Sequence, residues 1–220
     1  MKLTDQDIEA IARRIAGDLR GTAAPAAAPA PTVQAPAIPA GAVGVYATVD
    51  EAVAAAKSAF PAFSALPLSR REQVIQSIRT VMRENATALA RSAADETGYG
   101  RFEDKILKNQ LVIEKTPGTE DLSPTAWTGD HGLTLMEPAP YGIIGAITPT
   151  TNPTSTIICN AIGMLAAGNV VVFNVHPSAR RCSVETVALI NKAVMAAGGP
   201  PNTAVCVGES SIESAGQLMK

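Results

Sequence analysis

The sequence predicts an α/β protein. Its body is a Rossmann-like doubly wound parallel sheet, preceded by a helical region, a hairpin arm and a tethered N-terminal amphipathic helix. Three observations carry this. Short apolar runs at Ile143–Ile147, Val170–Phe173 and Thr203–Val207 lie between Gly and Pro breakers, the pattern of strands buried on both faces. Helical patterns fill the gaps, so successive strands run parallel through helical crossovers. Upstream, from Asp50 to Lys115, the apolar period is that of helices.

Residues 1–20 form the first element. Ile8, Ile11, Ala12, Ile15 and Leu19 fall on one helical stripe. Thr4 with Asp7 makes a weak capping box and Gly21 a stop. Residues 21–41 are almost all Ala and Pro. Such a segment builds no core, favours polyproline-like extension and reaches roughly 60 Å at full stretch. Two readings stay open for the helix: it folds back on the body, or the stripe of residues 3–19 docks into a partner's groove.

Residues 42–124 form a helical part. Asp50–Phe60 is Ala-rich and is expected to end at Pro61. Ser69–Glu96 carries a stripe of Val74, Ile78, Val81, Met82, Leu89 and Ala93, with Gly98 as its stop. Phe102–Lys115 ends before Pro117. Residues 125–139 read as a hairpin, two β-rich runs around Gly129-Asp-His-Gly132, which makes His131 a solvated turn histidine.

Residues 140–220 hold the sheet. The first crossover helix starts near Pro153 and runs to Leu165; Ser178 opens the second, Val184–Ala197. Ligands of such sheets bind beyond the carboxyl ends of the strands. That marks Ile147, Thr148, Pro149 and Thr150, then Asn174, His176, Pro177 and Ser178, and finally Gly208, as cofactor-binding candidates around one crevice. No GxGxxG fingerprint occurs.

Composition narrows the function. A net charge of -2 and 4% aromatic residues argue against nucleic acid. Three cysteines without a CxxC pair, and two histidines, give no zinc constellation. They read as reduced thiols of a cytosolic protein. No apolar run approaches the ~20 residues of a membrane span, and the N-terminus lacks a secretory h-region. Cys159 sits in an apolar helix with no histidine or acid nearby in sequence to activate it, Cys182 starts a helix, and Cys206 lies in a strand. All three read as structural thiols.

The turns Thr148-Pro-Thr-Thr-Asn-Pro153 and Leu165-Ala-Ala-Gly-Asn169, with Asp95-Glu-Thr-Gly98 upstream, resemble the aldehyde dehydrogenase family. In particular they are similar to its coenzyme A-acylating branch of bacterial microcompartments. The fold implied is the aldehyde dehydrogenase fold, here incomplete. The family's first turn reads Pro-Trp-Asn-x-Pro, and its Asn amide stabilises the thiohemiacetal oxyanion. Here Thr150 replaces the aromatic residue and the Asn falls one place later. The resemblance therefore leaves Asn152 or Thr151 as the catalytic donor, and Asn152-Pro153 also reads as a helix cap. The second turn, usually Lys-Pro-Ser-Glu, is His176-Pro-Ser-Ala179. With Arg180 and Arg181 adjacent and the carboxylate gone, it accepts either NAD or the phosphate-bearing adenosine of coenzyme A.

The reaction implied is oxidation of a short-chain aldehyde, propanal or similar, to acyl-coenzyme A with NAD and coenzyme A. The thioester would form on a cysteine beyond Lys220, so the chain is expected to be cut short and inactive alone. The resemblance also implies a homo-oligomer formed through the hairpin. It further implies a shell-protein partner for residues 3–19 and the microcompartment lumen as the location. The rivals are a hydrolytic aldehyde dehydrogenase or a semialdehyde reductase of the same fold, and a non-catalytic cofactor-binding or shell-docking fragment.

Overall fold

The computed structural model describes residues 43–220; the helix expected in residues 1–20 and the linker of 21–41 lie outside them. In chain order the elements are β1 (Val45–Tyr46), α1 (Val49–Ser64), α2 (Leu68–Thr97), α3 (Phe102–Lys115), β2 (Thr125–Gly129) and β3 (Gly132–Met136). Then come β4 (Ile143–Ile147), α4 (Pro153–Ala166), β5 (Val170–Asn174), α5 (Arg180–Ala196), β6 (Ala204–Val207) and α6 (Ile212–Leu218). No helix among the described residues is long and apolar enough to cross a membrane.

β4, β5 and β6 are parallel neighbours, and β1 adds a fourth strand beyond β6, giving the order β1-β6-β5-β4. The two crossover helices, α4 and α5, pack together on one face. α1 packs on the other face with α6 beside it. This is the doubly wound arrangement that the alternating pattern predicts. α2 lies over α4 and α5 as a further layer, and α3 packs against α2 and α4.

The core sits in these layers. Val170 to Phe173 are fully buried at the sheet's centre, between Ile157, Ile162 and Leu165 of α4 and the α1 stripe Ala52, Ala56, Phe63. Small residues at i, i+4 and i+7 of α1 (Ala52, Ala56, Ala59) bring its backbone close to the strands. A capping box of Thr48 and Glu51 starts α1. α1 outlasts its expected end, with Pro61 inside it. The missing N–H falls in the last turn, where Lys57 and Pro61 are both exposed and the freed carbonyl faces solvent.

α2 supplies helix-end partners to three neighbours. Arg71 donates to the Ala166 carbonyl of α4 at 2.8 Å. Arg79 donates to the carbonyls of Ile113 and Thr116, the latter at 2.7 Å, at the end of α3. Glu96 accepts from the N–H groups of Arg181 at 2.7 Å and Cys182 at 2.8 Å. Each sign suits its terminus: cations meet orphan carbonyls and a carboxylate meets orphan N–H groups. The last contact explains why α5 starts at Arg180, ahead of the expected Val184. Pro177–Ala179 form a short 3₁₀ turn, and Glu96 satisfies the first turn of α5 from outside.

The two-residue β1 goes beyond the sequence reading. Gly44, at φ +86°, lets it approach β6: a Cβ there would lie 2.8 Å from the Ala204 carbonyl and clash with the Asn191 side chain. The hairpin of β2 and β3 forms as expected, in full antiparallel register. Among the described residues it packs on no other element; Trp127, Leu133, Leu135 and Met136 are all exposed.

Candidate active site

The carboxyl ends of β4, β5 and β6 present three turns at one edge of the sheet. The first two are joined by the Thr148 N–H, which donates to the Asn174 carbonyl at 3.1 Å. The candidates differ in what their side chains do there. Asn174 is buried and spent on the fold: its amide nitrogen donates to Ser211 O at 3.4 Å, and its oxygen accepts from the Ser214 hydroxyl at 2.6 Å. Gly208 uses its N–H on Tyr46 O at 2.8 Å, extending the pairing of β6 with β1. Pro149, Pro177 and Ser178 are exposed, and Ile147 is half-exposed. His176 accepts from the Ser178 N–H at Nδ1 (3.1 Å), which leaves Nε2 to carry the ring proton.

A polar ligand fits this edge. Among the described residues, the buried hydroxyls of Thr148, Thr150 and Ser210 and the Nε of Arg180 have no hydrogen-bond partner. Buried polar atoms are normally satisfied, and these four belong to the segments that follow the strands; Arg71 Nε, Ser183 Oγ and Asn191 Oδ1, elsewhere in the fold, also lack a partner among the described residues. The N-terminus of α5, by contrast, is already filled by Glu96. That fits the missing glycine fingerprint, because no free helix end is left there for a pyrophosphate. Arg180 and Glu209 pair at 2.5 Å across the second and third turns. A carboxylate thus stands near the second turn, contributed by a residue the sequence reading did not single out.

Asn152 occupies the N-cap position of α4, yet its side chain makes no capping bond. The amide is held from α3 instead. Lys108 Nζ lies 3.1 Å from Asn152 Oδ1, and Lys105 Nζ donates to the Thr151 carbonyl at 3.2 Å. Asn109, on the same face of α3, accepts from the Thr154 hydroxyl at 2.9 Å. Lys105 is buried; burial first, then the Lys108 charge, push its ammonium pKa below the ordinary lysine value. Lys105, Lys108 and Asn109 stand at i, i+3 and i+4, a polar stripe visible in the sequence. What the stripe faces is not.

None of the cysteines has the surroundings of a nucleophile. Cys182 is fully buried; burial first, then the Glu96 carboxylate, push its thiol pKa far up. Burial raises that of Cys206 to about 12. Cys159 lines an open groove of about 320 Å³ with Lys108, Leu111, Asn152 and Ser155, and the lining holds no histidine or carboxylate. His131 is exposed in the hairpin turn.

Known proteins share this architecture. The profile of the aldehyde dehydrogenase family matches residues 29–220. An acetylating acetaldehyde dehydrogenase of Salmonella typhimurium is 42% identical over 99% of this chain and 44% of its own length. A propionaldehyde dehydrogenase from the fucose utilisation microcompartment of Clostridium phytofermentans superposes with a TM-score of 0.76 at 53% identity, over 79% of this chain and 40% of that one. A Rhodopseudomonas palustris propionaldehyde dehydrogenase, solved with bound coenzyme A and an acylated cysteine, gives a TM-score of 0.78 at 50% identity, over 80% and 40%. The chain therefore spans less than half the length of these relatives. With the family profile covering the sheet and all the turns at its carboxyl edge, the chain belongs to the aldehyde dehydrogenase family.

Proposed function

We propose that the protein carrying this chain oxidises a short-chain aldehyde, propanal or similar, to the acyl-coenzyme A, using NAD and coenzyme A. The observation that carries the reading is Asn152. Its amide stands at the head of α4, beside the carboxyl end of β4, and is not spent on capping the helix. It is free to donate to charge that develops only as a thiolate adds to an aldehyde. In this reading Asn152 rather than Thr151 is the oxyanion donor, because a planar amide offers two N–H donors and a hydroxyl one. The relatives' acylating activities and the acylated cysteine of one of them support the same chemistry.

The thiolate comes from a cysteine outside these 220 residues, since Cys159, Cys182 and Cys206 are unsuited. NAD, when bound, takes the hydride, and coenzyme A takes the acyl group, so covalent catalysis is split into two steps. The orphaned hydroxyls of Thr148, Thr150 and Ser210 are the polar groups available to hold a cofactor at the strand ends. The exposed apolar hairpin serves as an oligomerisation arm. Residues 3–19 serve as the docking segment for a microcompartment shell protein, in line with the microcompartment origin of one relative.

The test is NADH formation by the whole protein with propanal, with and without coenzyme A. Turnover that requires coenzyme A is expected, and Asn152→Ala should lower kcat about 10²-fold while Thr151→Val leaves it largely intact. Turnover indifferent to coenzyme A would instead indicate a hydrolytic enzyme.

A further inference from the structure

We propose that Lys108 is a positioning residue that fixes which end of the Asn152 amide faces the reacting aldehyde, with Lys105 anchoring the backbone of the same turn. The inference rests on the reading of Asn152 as the oxyanion donor and deepens it.

The amide has two orientations that differ by a flip, and only one presents N–H groups to an oxyanion. An ammonium is donor-only. At 3.1 Å from the amide it can face Oδ1 but not Nδ2. The flip is therefore fixed by chemistry, and Nδ2 is turned away from α3. Among the described residues its one hydrogen bond is a long 3.5 Å contact to the Thr151 hydroxyl, which leaves the second N–H available. The Lys108 ammonium facing Oδ1 also polarises the amide and makes its N–H groups better donors.

Lys105 restricts the backbone in the same way. It is 6% exposed and donates to the Thr151 carbonyl, one residue before the amide. The Thr154–Asn109 bond at 2.9 Å, with Asn109 donating to Ala86 O at 3.1 Å, ties the following turn of α4 back to α3 and α2. Among the described residues neither lysine pairs with a carboxylate. Two unpaired cations on one helical face, one of them buried, are unfavourable for folding alone. Both are aimed at Thr151 and Asn152.

The experiment is a double-mutant cycle in the whole protein, comparing Lys108→Met, Lys108→Arg, Asn152→Ala and the Lys108→Met/Asn152→Ala pair. Lys108→Met is expected to lower kcat about tenfold, a part of the loss caused by removing a donor outright. KM for aldehyde, NAD and coenzyme A should stay within about twofold, because the amide acts on the transition state. Lys108→Arg, which keeps a donor-only cation, should recover most of the rate. In the Asn152→Ala background Lys108→Met should have no further effect. An unchanged kcat in Lys108→Met, or an equal loss in both backgrounds, overturns the inference while leaving the donor role of Asn152 standing. A neutral Asn152→Ala overturns both.

Discussion

Replacing Glu96 by Ala should unfasten α5 from α2. The carboxylate accepts two backbone N–H bonds, at 2.7 and 2.8 Å, from a helix start that lies 85 and 86 residues away in sequence. Hydrogen bonds to a charged group contribute about 1.5–3 kcal/mol each. A carboxylate at a helix N-terminus adds about 0.3–1 kcal/mol. The two bonds share one side chain, and Glu96 is only half-buried, so the terms do not simply add. A loss of about 2–4 kcal/mol is expected. Glu96→Gln keeps one acceptor and turns an NH₂ toward the other N–H, and should lose about half as much. The neighbouring Asp95 is a control: it is exposed and among the described residues reaches only Arg91, at 4.0 Å, so Asp95→Ala should change stability by less than about 0.5 kcal/mol. Urea denaturation, with an unchanged m-value, measures all three. If Glu96→Ala falls as close to the parent protein as Asp95→Ala does, the carboxylate does not cap α5 and the early start of that helix needs another cause.

Three further outcomes are expected. Under native conditions at neutral pH a maleimide should modify Cys159 first, and peptide mass mapping should find Cys182 and Cys206 modified only after unfolding; both are buried with raised thiol pKa values. Lys105, whose ammonium pKa is lowered in the fold, releases its proton at a lower pH than in the unfolded chain. Between those two values the unfolded chain holds more protons, so stability should rise with pH just below the ordinary lysine range. Lys105→Met should flatten that rise in denaturation curves taken across the window. Leu133→Glu with Leu135→Glu should reduce self-association by light scattering without lowering the protein's stability, because both side chains are exposed within the chain.

Much of the fold was legible because the strands are apolar runs between Gly and Pro, and because each crossover helix has a clear start or stop. Ile143–Ile147, Phe102–Lys115 and the 129–132 turn fall where the pattern puts them, but β4 is the edge strand and is only partly covered, with Gly145 and Ile147 exposed rather than buried on both faces. Other features were set by tertiary partners that no local pattern reveals. β1 is only two residues long and depends on Gly44 meeting β6. The start of α5 depends on Glu96, far upstream. The site divides in the same way. That the turns after β4, β5 and β6 share one edge follows from parallel strands and short loops. That Asn174 is spent on α6, that Glu209 pairs with Arg180, and that Lys108 faces Asn152 follow from packing between elements, which spacing alone does not encode.

The most direct test of the proposed chemistry is intact-mass and peptide analysis of the whole protein after a single turnover with propanal and NAD in the absence of coenzyme A. A thiol, an aldehyde and NAD give a thioester, NADH and a proton. A propanoyl adduct should therefore appear in step with NADH, on a cysteine other than Cys159, Cys182 and Cys206, and coenzyme A should discharge it as propanoyl-coenzyme A. NADH formed without an adduct, or an adduct on Cys159, would contradict the reading that these residues build the cofactor and oxyanion side of a thioester-forming site.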